Sequence, residues 1–297
     1  MMWRKLFKFL LGVGLIGGVL LLAVLLVFDR LVQFRMNDQE IQQWFAQKHV
    51  PVRIQYFQKQ NREVRYISTG QDTSATVLFI HGAPSSSTYY REYLVDSLLL
   101  KEARMFAVDR PGYGYSGLAQ PLTSIQQQAA IIRPILDSLQ QLHHPVVLVA
   151  ASYGTAIACR ITMDYPKLVD GLVLLGPALA PYQEKTYWFT PMIEHWPFHW
   201  AIPRMLQTAN AEKIAHPHEL EKMLPLWQNI HVPVNYLQGA EDQLVYTTNA
   251  AFAREKLVNA PYLNVQLIPN RGHLIAFDEK ERISNSILDM LHRVKGR

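Results

Sequence analysis

Four short motifs in the 297-residue chain carry side chains that could break a covalent bond together. In chain order they are His81-Gly82-Ala83-Pro84, Ala150-Ala151-Ser152-Tyr153-Gly154, Gly239-Ala240-Glu241-Asp242 and Asn270-Arg271-Gly272-His273. A serine hydroxyl is a weak nucleophile until a base takes its proton. Ser152 as nucleophile and His273 as general base supply that pair, with Asp242 accepting from the other imidazole nitrogen and fixing the tautomer. Glu241 is the rival for the acid. Attack on a carbonyl creates an oxyanion, which needs N–H donors aimed at it. The Tyr153 N–H, at the start of a helix, is one expected donor. The other comes from the loop after the early strand, where Pro84 has no N–H to offer and Ala83 is the best candidate.

These motifs need elements that hold them at one edge. Apolar runs predict strands over 62–67, 75–80, 104–108, 145–150, 171–175, 234–238 and 265–268. Helices are predicted over 37–49, 87–100, 123–142, 154–165 and 276–294, with Pro134 expected to kink or break the third. Short apolar strands without polar alternation suit a mostly parallel sheet covered by helices on both faces. Each motif then falls at the C-terminal end of a strand, where open α/β sheets place their sites. Ser152 sits on a sharp strand-to-helix turn, crowded enough to need small neighbours, and Ala150 and Gly154 are small. Residues 178–231 break the alternation. They hold Pro181, Pro191, Pro197, Pro203, Pro217 and Pro225, and Trp188, Trp196, Trp200 and Trp227. This stretch is too long for a loop and is expected to be a small helical cap. Its tryptophans are expected to form its core, a minority lining a substrate pocket.

With Asp109-Arg110-Pro111-Gly112-Tyr113-Gly114-Tyr115-Ser116, the motifs resemble the α/β-hydrolase superfamily across roughly residues 62–295. That family's triad runs serine, acid, histidine in chain order, as here. The chain departs from it at Ala150, where glycine is usual, and at Ala151, where histidine is frequent. The resemblance implies an α/β-hydrolase fold and a serine esterase or lipase that forms an acyl-enzyme and uses no cofactor. In this setting His81 is expected to shape the oxyanion loop and Asp109 to staple its own loop. Epoxide hydrolases and haloalkane dehalogenases share the His-Gly-x-Pro loop but use an aspartate nucleophile, against which Ser152 argues. Carbon–carbon bond hydrolases and proline-releasing peptidases keep the serine and stay open. So does a non-catalytic homologue that binds an apolar ligand or a membrane partner.

Composition narrows the partners. Hydrophobic residues make up 49% and charged residues 18%, a globular balance. Three of the 29 basic residues, Arg4, Lys5 and Lys8, precede residue 28, which leaves 26 basic against 24 acidic in the rest. The body is nearly neutral and carries no nucleic-acid motif, so nucleic acid is not expected as a partner. The pairs His143-His144 and His195 with His199 do not form a convincing metal site, and none is expected. Cys159, the single cysteine, lies in an apolar stretch and reads as a buried structural thiol.

Leu10 to Phe28 is an uncharged apolar run of 19 residues. As a helix it would span roughly 28 Å, close to the hydrocarbon thickness of a bilayer. Basic residues before it place the N-terminus in the cytoplasm and the catalytic body on the outer side. A cleaved signal peptide is the rival, although no small-x-small cleavage site follows the run. Gly14 and Gly18 have the spacing of a helix-pairing motif, so an oligomer is possible but not indicated. The expected organisation is an anchor over 1–36 and a catalytic domain over 37–297, with its cap at about 178–231. The expected substrate is small and hydrophobic.

Overall fold

The structure is a computed structural model that describes residues 2–71, 74–140, 144–188, 190–195 and 199–296, with His195 described by its backbone alone. Eight strands form one sheet in the order β1-β2-β4-β3-β5-β6-β7-β8. They are β1 (Val52–Lys59), β2 (Arg62–Thr69), β3 (Thr76–Ile80), β4 (Arg104–Val108), β5 (Val146–Ala151), β6 (Gly171–Leu175), β7 (Val234–Gly239) and β8 (Leu263–Ile268). β2 is antiparallel to β1 and β4; the remaining neighbours are parallel. Strands β3, β5 and β6 are buried along their whole length, which explains their unbroken apolar sequences.

Register brings the motifs to one edge. Ile80 pairs with both Val108 and Ala150, Ala151 with Leu175, Leu175 with Leu237, and Gly239 with Ile268. The loops that leave β3 to β8 therefore emerge side by side.

The helices are α1 (Met2–Leu31), α2 (Asp38–Gln47), α3 (Arg91–Leu94), α4 (Ser97–Glu102), α5 (Ile125–Gln140), α6 (Tyr153–Asp164), α7 (Thr190–His195), α8 (Arg204–Glu221), α9 (Thr248–Lys256), α10 (Ile275–Asp278) and α11 (Lys280–Lys295). One face of the sheet packs on α5 and α6 through Ile132, Ile135, Leu136, Ile157 and Ile161. The other packs on α2 and α11 through Ile41, Phe45, Ile283, Ile287 and Met290. Asn37 caps α2 in a reciprocal pair with Glu40, at 2.9 and 2.6 Å.

Four local expectations change. Strand β1 was not predicted; it is a mostly exposed edge strand with Arg53, Gln55, Gln58 and Lys59 all exposed. Its hairpin turn uses Gln60 and Asn61, both at positive φ, the geometry of a tight two-residue connection. The helix expected over 87–100 is divided into a 3-10 turn, α3 and α4, and the Asp96 carboxylate starts α4 by accepting from the Leu98 and Leu99 N–H groups. Helix α5 continues through Pro134, since Ile131, Ile132, Ile135 and Leu136 are buried on both sides of it and hold the helix to the sheet. Among the described residues of the cap only Trp227 is a buried tryptophan, while Trp188 is 81% and Trp200 63% exposed. Short elements such as α7 and the 3-10 turn His199–Ala201 have too little inner face to cover an indole. Trp196, Pro197 and His143 lie outside the described residues.

Helix α1 buries no residue against the rest of the chain and has a mean hydropathy of 2.9 over its best 18-residue window. Leaving a large apolar side chain in water instead of burying it costs about 1.5–3 kcal/mol. A whole helix of them needs an apolar surrounding, and α1 is a candidate membrane anchor or signal sequence.

Candidate active site

Ser152 joins β5 to α6 with φ 50° and ψ −126°, a conformation that a side chain with a Cβ rarely adopts. Its neighbours hold it there. The Ser152 N–H donates to the Leu175 carbonyl at 2.8 Å, and Thr155 N–H and Oγ1 both return to the Ser152 carbonyl. Gly154 lies directly over β3, where a Cβ would come within 2.5 Å of the His81 carbonyl oxygen and 2.6 Å of that of Ile80. Only glycine fits under that strand, which accounts for the last position of the motif.

His273 and Asp242 meet. His273 Nδ1 lies 2.7 Å from Asp242 Oδ2. Asp242 Oδ1 accepts from the Leu244 and Val245 N–H groups, each at 2.9 Å. Burial pushes the Asp242 carboxyl up, but the His273 bond and charge and the two N–H donors outweigh it and hold the group below its ordinary value. Glu241, the sequence rival, is exposed. The His273 ring rests on Gly176, where a Cβ would stand 3.2 Å from Cε1. Gly176 directly follows the Leu175 whose carbonyl holds Ser152, so the serine and the imidazole flank one dipeptide.

The loop after β3 completes the site. A Cβ on Gly82 would stand 3.0 Å from that of Ser152. His81 is buried, with Nδ1 2.7 Å from the Gly82 carbonyl oxygen and Nε2 2.9 Å from the Arg110 N–H. A backbone N–H can only donate, so Nε2 accepts and Nδ1 carries the proton. Burial, helped by Arg110, lowers the His81 pKa to about 3 and keeps the ring neutral. His81 is thus placed to shape the loop. Among the described residues neither the Ala83 nor the Tyr153 N–H donates to another group.

Asp109 staples the next loop. It is buried and accepts from Arg65 Nε, the Ser87 N–H and the Tyr115 N–H at 2.9, 2.7 and 2.8 Å. Burial raises its pKa, but Arg65 and the N–H donors outweigh that and hold it below 3.8. A depressed carboxylate stabilises the fold above its unfolded value and loses that contribution as pH falls through its folded value. Asp109→Asn leaves the buried Arg65 with only Asp38 as a charged partner. We expect it to cost about 3–5 kcal/mol at pH 7, and to shrink the difference between urea midpoints at pH 7 and below pH 4. Equal midpoints for wild type and variant at pH 7 would contradict this role.

Sequence reasoning missed a buried cluster that joins cap to core. Arg110 and Glu212, both fully buried, pair at 2.7 Å. His216 of α8 meets Glu184 at 2.7 Å and stacks on the Tyr153 ring at 4.4 Å between centroids. Cys159 is buried, and burial pushes its thiol far above the ordinary range. A wide polar groove of about 700 Å³ lies elsewhere, lined by Asn235, Tyr262, Asn264, Gln266 and residues of α11. It holds none of Ser152, Asp242 or His273, so chemistry rather than size locates the reactive centre.

Comparison with known proteins agrees with this architecture. The sequence profile of the alpha/beta hydrolase fold matches residues 75–273, and the chain belongs to that family. Epoxide hydrolase 1 of Caenorhabditis elegans is 26% identical over 135 residues, covering 44% of this chain and 32% of that protein. The chain therefore matches about a third of the length of that curated relative. A putative lipase from Acinetobacter baumannii AYE superposes with a TM-score of 0.68 at 18% identity, covering 88% of this chain and 97% of the other. A membrane phospholipase A superposes with a TM-score of 0.63 at 18% identity, covering 99% of each. At that identity the two structures show a shared fold.

Proposed function

We propose that this hydrolase of the α/β fold is a membrane-anchored serine esterase that cleaves a hydrophobic carboxylic ester through an acyl-enzyme. The observation that carries the reading is the Asp242–His273 pair lying across Leu175–Gly176 from a serine held at φ 50°. His273 Nε2 takes the Ser152 proton as Oγ attacks the carbonyl carbon. The Ala83 and Tyr153 N–H groups receive the oxyanion. Collapse expels the alcohol, protonated by His273, and water then releases the acid by the reverse sequence. Each oxyanion donor is worth about 10²–10³ in rate, so the loop after β3 adds substantially to what the triad supplies.

The apolar substrate is inferred from the surroundings. Asp29, at the end of α1, accepts from the Arg204 N–H at 2.7 Å and Nη2 at 2.8 Å, at the first residue of α8. The apolar helix thus leads straight onto the cap, whose Trp188 and Trp200 are exposed. A serine at the turn favours the ester over the epoxide named for the curated relative. An uncleaved α1 with its N-terminus cytoplasmic puts the site on the outer side, and an alkaline phosphatase fusion after residue 297 should be active. An inactive fusion would refute that orientation.

A p-nitrophenyl ester series tests the reaction. Turnover should favour medium or long acyl chains over acetate. No turnover at any chain length would remove the ester reading.

A further inference from the structure

Arg110 uses all five guanidinium donors on two backbone carbonyls, one carboxylate and a glutamine. Nε donates to the His81 carbonyl at 2.8 Å and Nη2 to the Gly82 carbonyl at 3.1 Å. Nη1 and Nη2 reach the two Glu212 oxygens at 2.7 and 3.0 Å, and Nη1 reaches Gln128 Oε1 at 2.8 Å. Glu212 in turn accepts from Tyr113 Oη at 2.6 Å and Gln128 Nε2 at 2.7 Å. The guanidinium also lies 4.6 Å above the Tyr113 ring and 4.8 Å from that of Tyr153. Burying a charged pair this completely is costly unless each lone pair and proton is met, and here they are.

The direction of these bonds has a consequence at the reactive edge. In a trans peptide the C=O and the following N–H point opposite ways. The Gly82 carbonyl is gripped by Arg110 Nη2 and His81 Nδ1 together, so the Ala83 N–H is fixed away from both. Gly82 itself abuts Ser152.

We propose that Glu212, a residue of cap helix α8, is a positioning residue that holds Arg110 against the Gly82–Ala83 peptide and so aims the Ala83 oxyanion donor. The proposal rests on the serine-hydrolase reading. Its consequence is that a cap not seated on the core leaves Arg110 without its carboxylate and the oxyanion hole without a fixed second donor.

The test uses the full-length protein in detergent, with active sites titrated by a fluorophosphonate. Wild type must label and Ser152→Ala must be inactive; otherwise the serine-hydrolase reading fails and takes this proposal with it. Glu212→Gln keeps shape but can accept only about half of the four hydrogen bonds. Its kcat per titrated site should fall about tenfold or more, with KM within about twofold. The inhibition constant of a trifluoromethyl ketone, which forms the same oxyanion, should rise by the same factor, and the acid limb of the pH profile should stay in place. A lowered Tm with unchanged kcat and unchanged ketone affinity would overturn the proposal and leave Glu212 a structural residue. If Glu212→Gln does not fold, Tyr113→Phe decides. It removes one hydrogen bond to Glu212 and should lower kcat and ketone affinity in step by about threefold; no change in either would overturn the proposal.

Discussion

Ser152→Ala should remove ester turnover almost completely, by about 10⁶-fold if this triad acts as a unit like others of its kind. Alanine keeps the Cβ, so the crowded turn at φ 50° is neither relieved nor newly strained. The N–H bond to Leu175 and the Thr155 bonds to the Ser152 carbonyl are made by the backbone of residue 152 and survive. The variant should therefore unfold within about 0.5 kcal/mol of wild type. Loss of activity without loss of stability separates a nucleophile from a serine that only shapes the turn. A variant retaining a tenth of the wild-type kcat would exclude Ser152 as nucleophile.

Asp242→Asn should have the next largest effect, a fall of about 10⁴-fold in kcat. The reason lies in the two backbone donors. Leu244 and Val245 N–H both point at Oδ1 and require an oxygen there. The asparagine amide must then turn its NH₂ toward His273 Nδ1, which forces that nitrogen to accept and moves the ring proton to Nε2. A ring protonated on Nε2 cannot take the proton of Ser152. Glu241→Gln, at an exposed position, is the matched control and should keep its rate. A loss below tenfold in Asp242→Asn would show that another group orients His273.

Much of this site was legible because each motif follows an apolar strand and carries its own glycine. Gly154 and Gly239 mark places where two backbones nearly touch: a Cβ on Gly239 would lie 2.1 Å from the Gly272 carbonyl oxygen. That contact brings the Asp242 loop onto the His273 loop, so the sequence pattern and the spatial pairing have one cause. The parallel sheet was legible for the same reason, since β3, β5 and β6 are buried on both faces. Strand β1 was not, although Val52, Ile54 and Tyr56 alternate with Arg53 and Gln55, because so short an alternation on a mostly exposed edge is a weak signal.

The cap was legible only as an interruption. Its tryptophans suggested a core, yet Trp188 and Trp200 face outward; Trp227 is buried, and so are the polar Glu212 and His216. A buried glutamate looks like a surface glutamate in a sequence. Its burial depends on Arg110, 102 residues away, meeting it with the right geometry. Arg110 sat inside a recognised motif, but only the structure shows what its guanidinium grips.

The most direct test of the central claim is covalent. The purified protein is treated with a fluorophosphonate and digested, and the adduct is located by mass spectrometry. The account predicts one adduct, on the Ser152 hydroxyl, formed faster as pH rises from acidic values and absent in Ser152→Ala. An unlabelled wild type, or a Ser152→Ala variant labelled as fast as wild type, would contradict it.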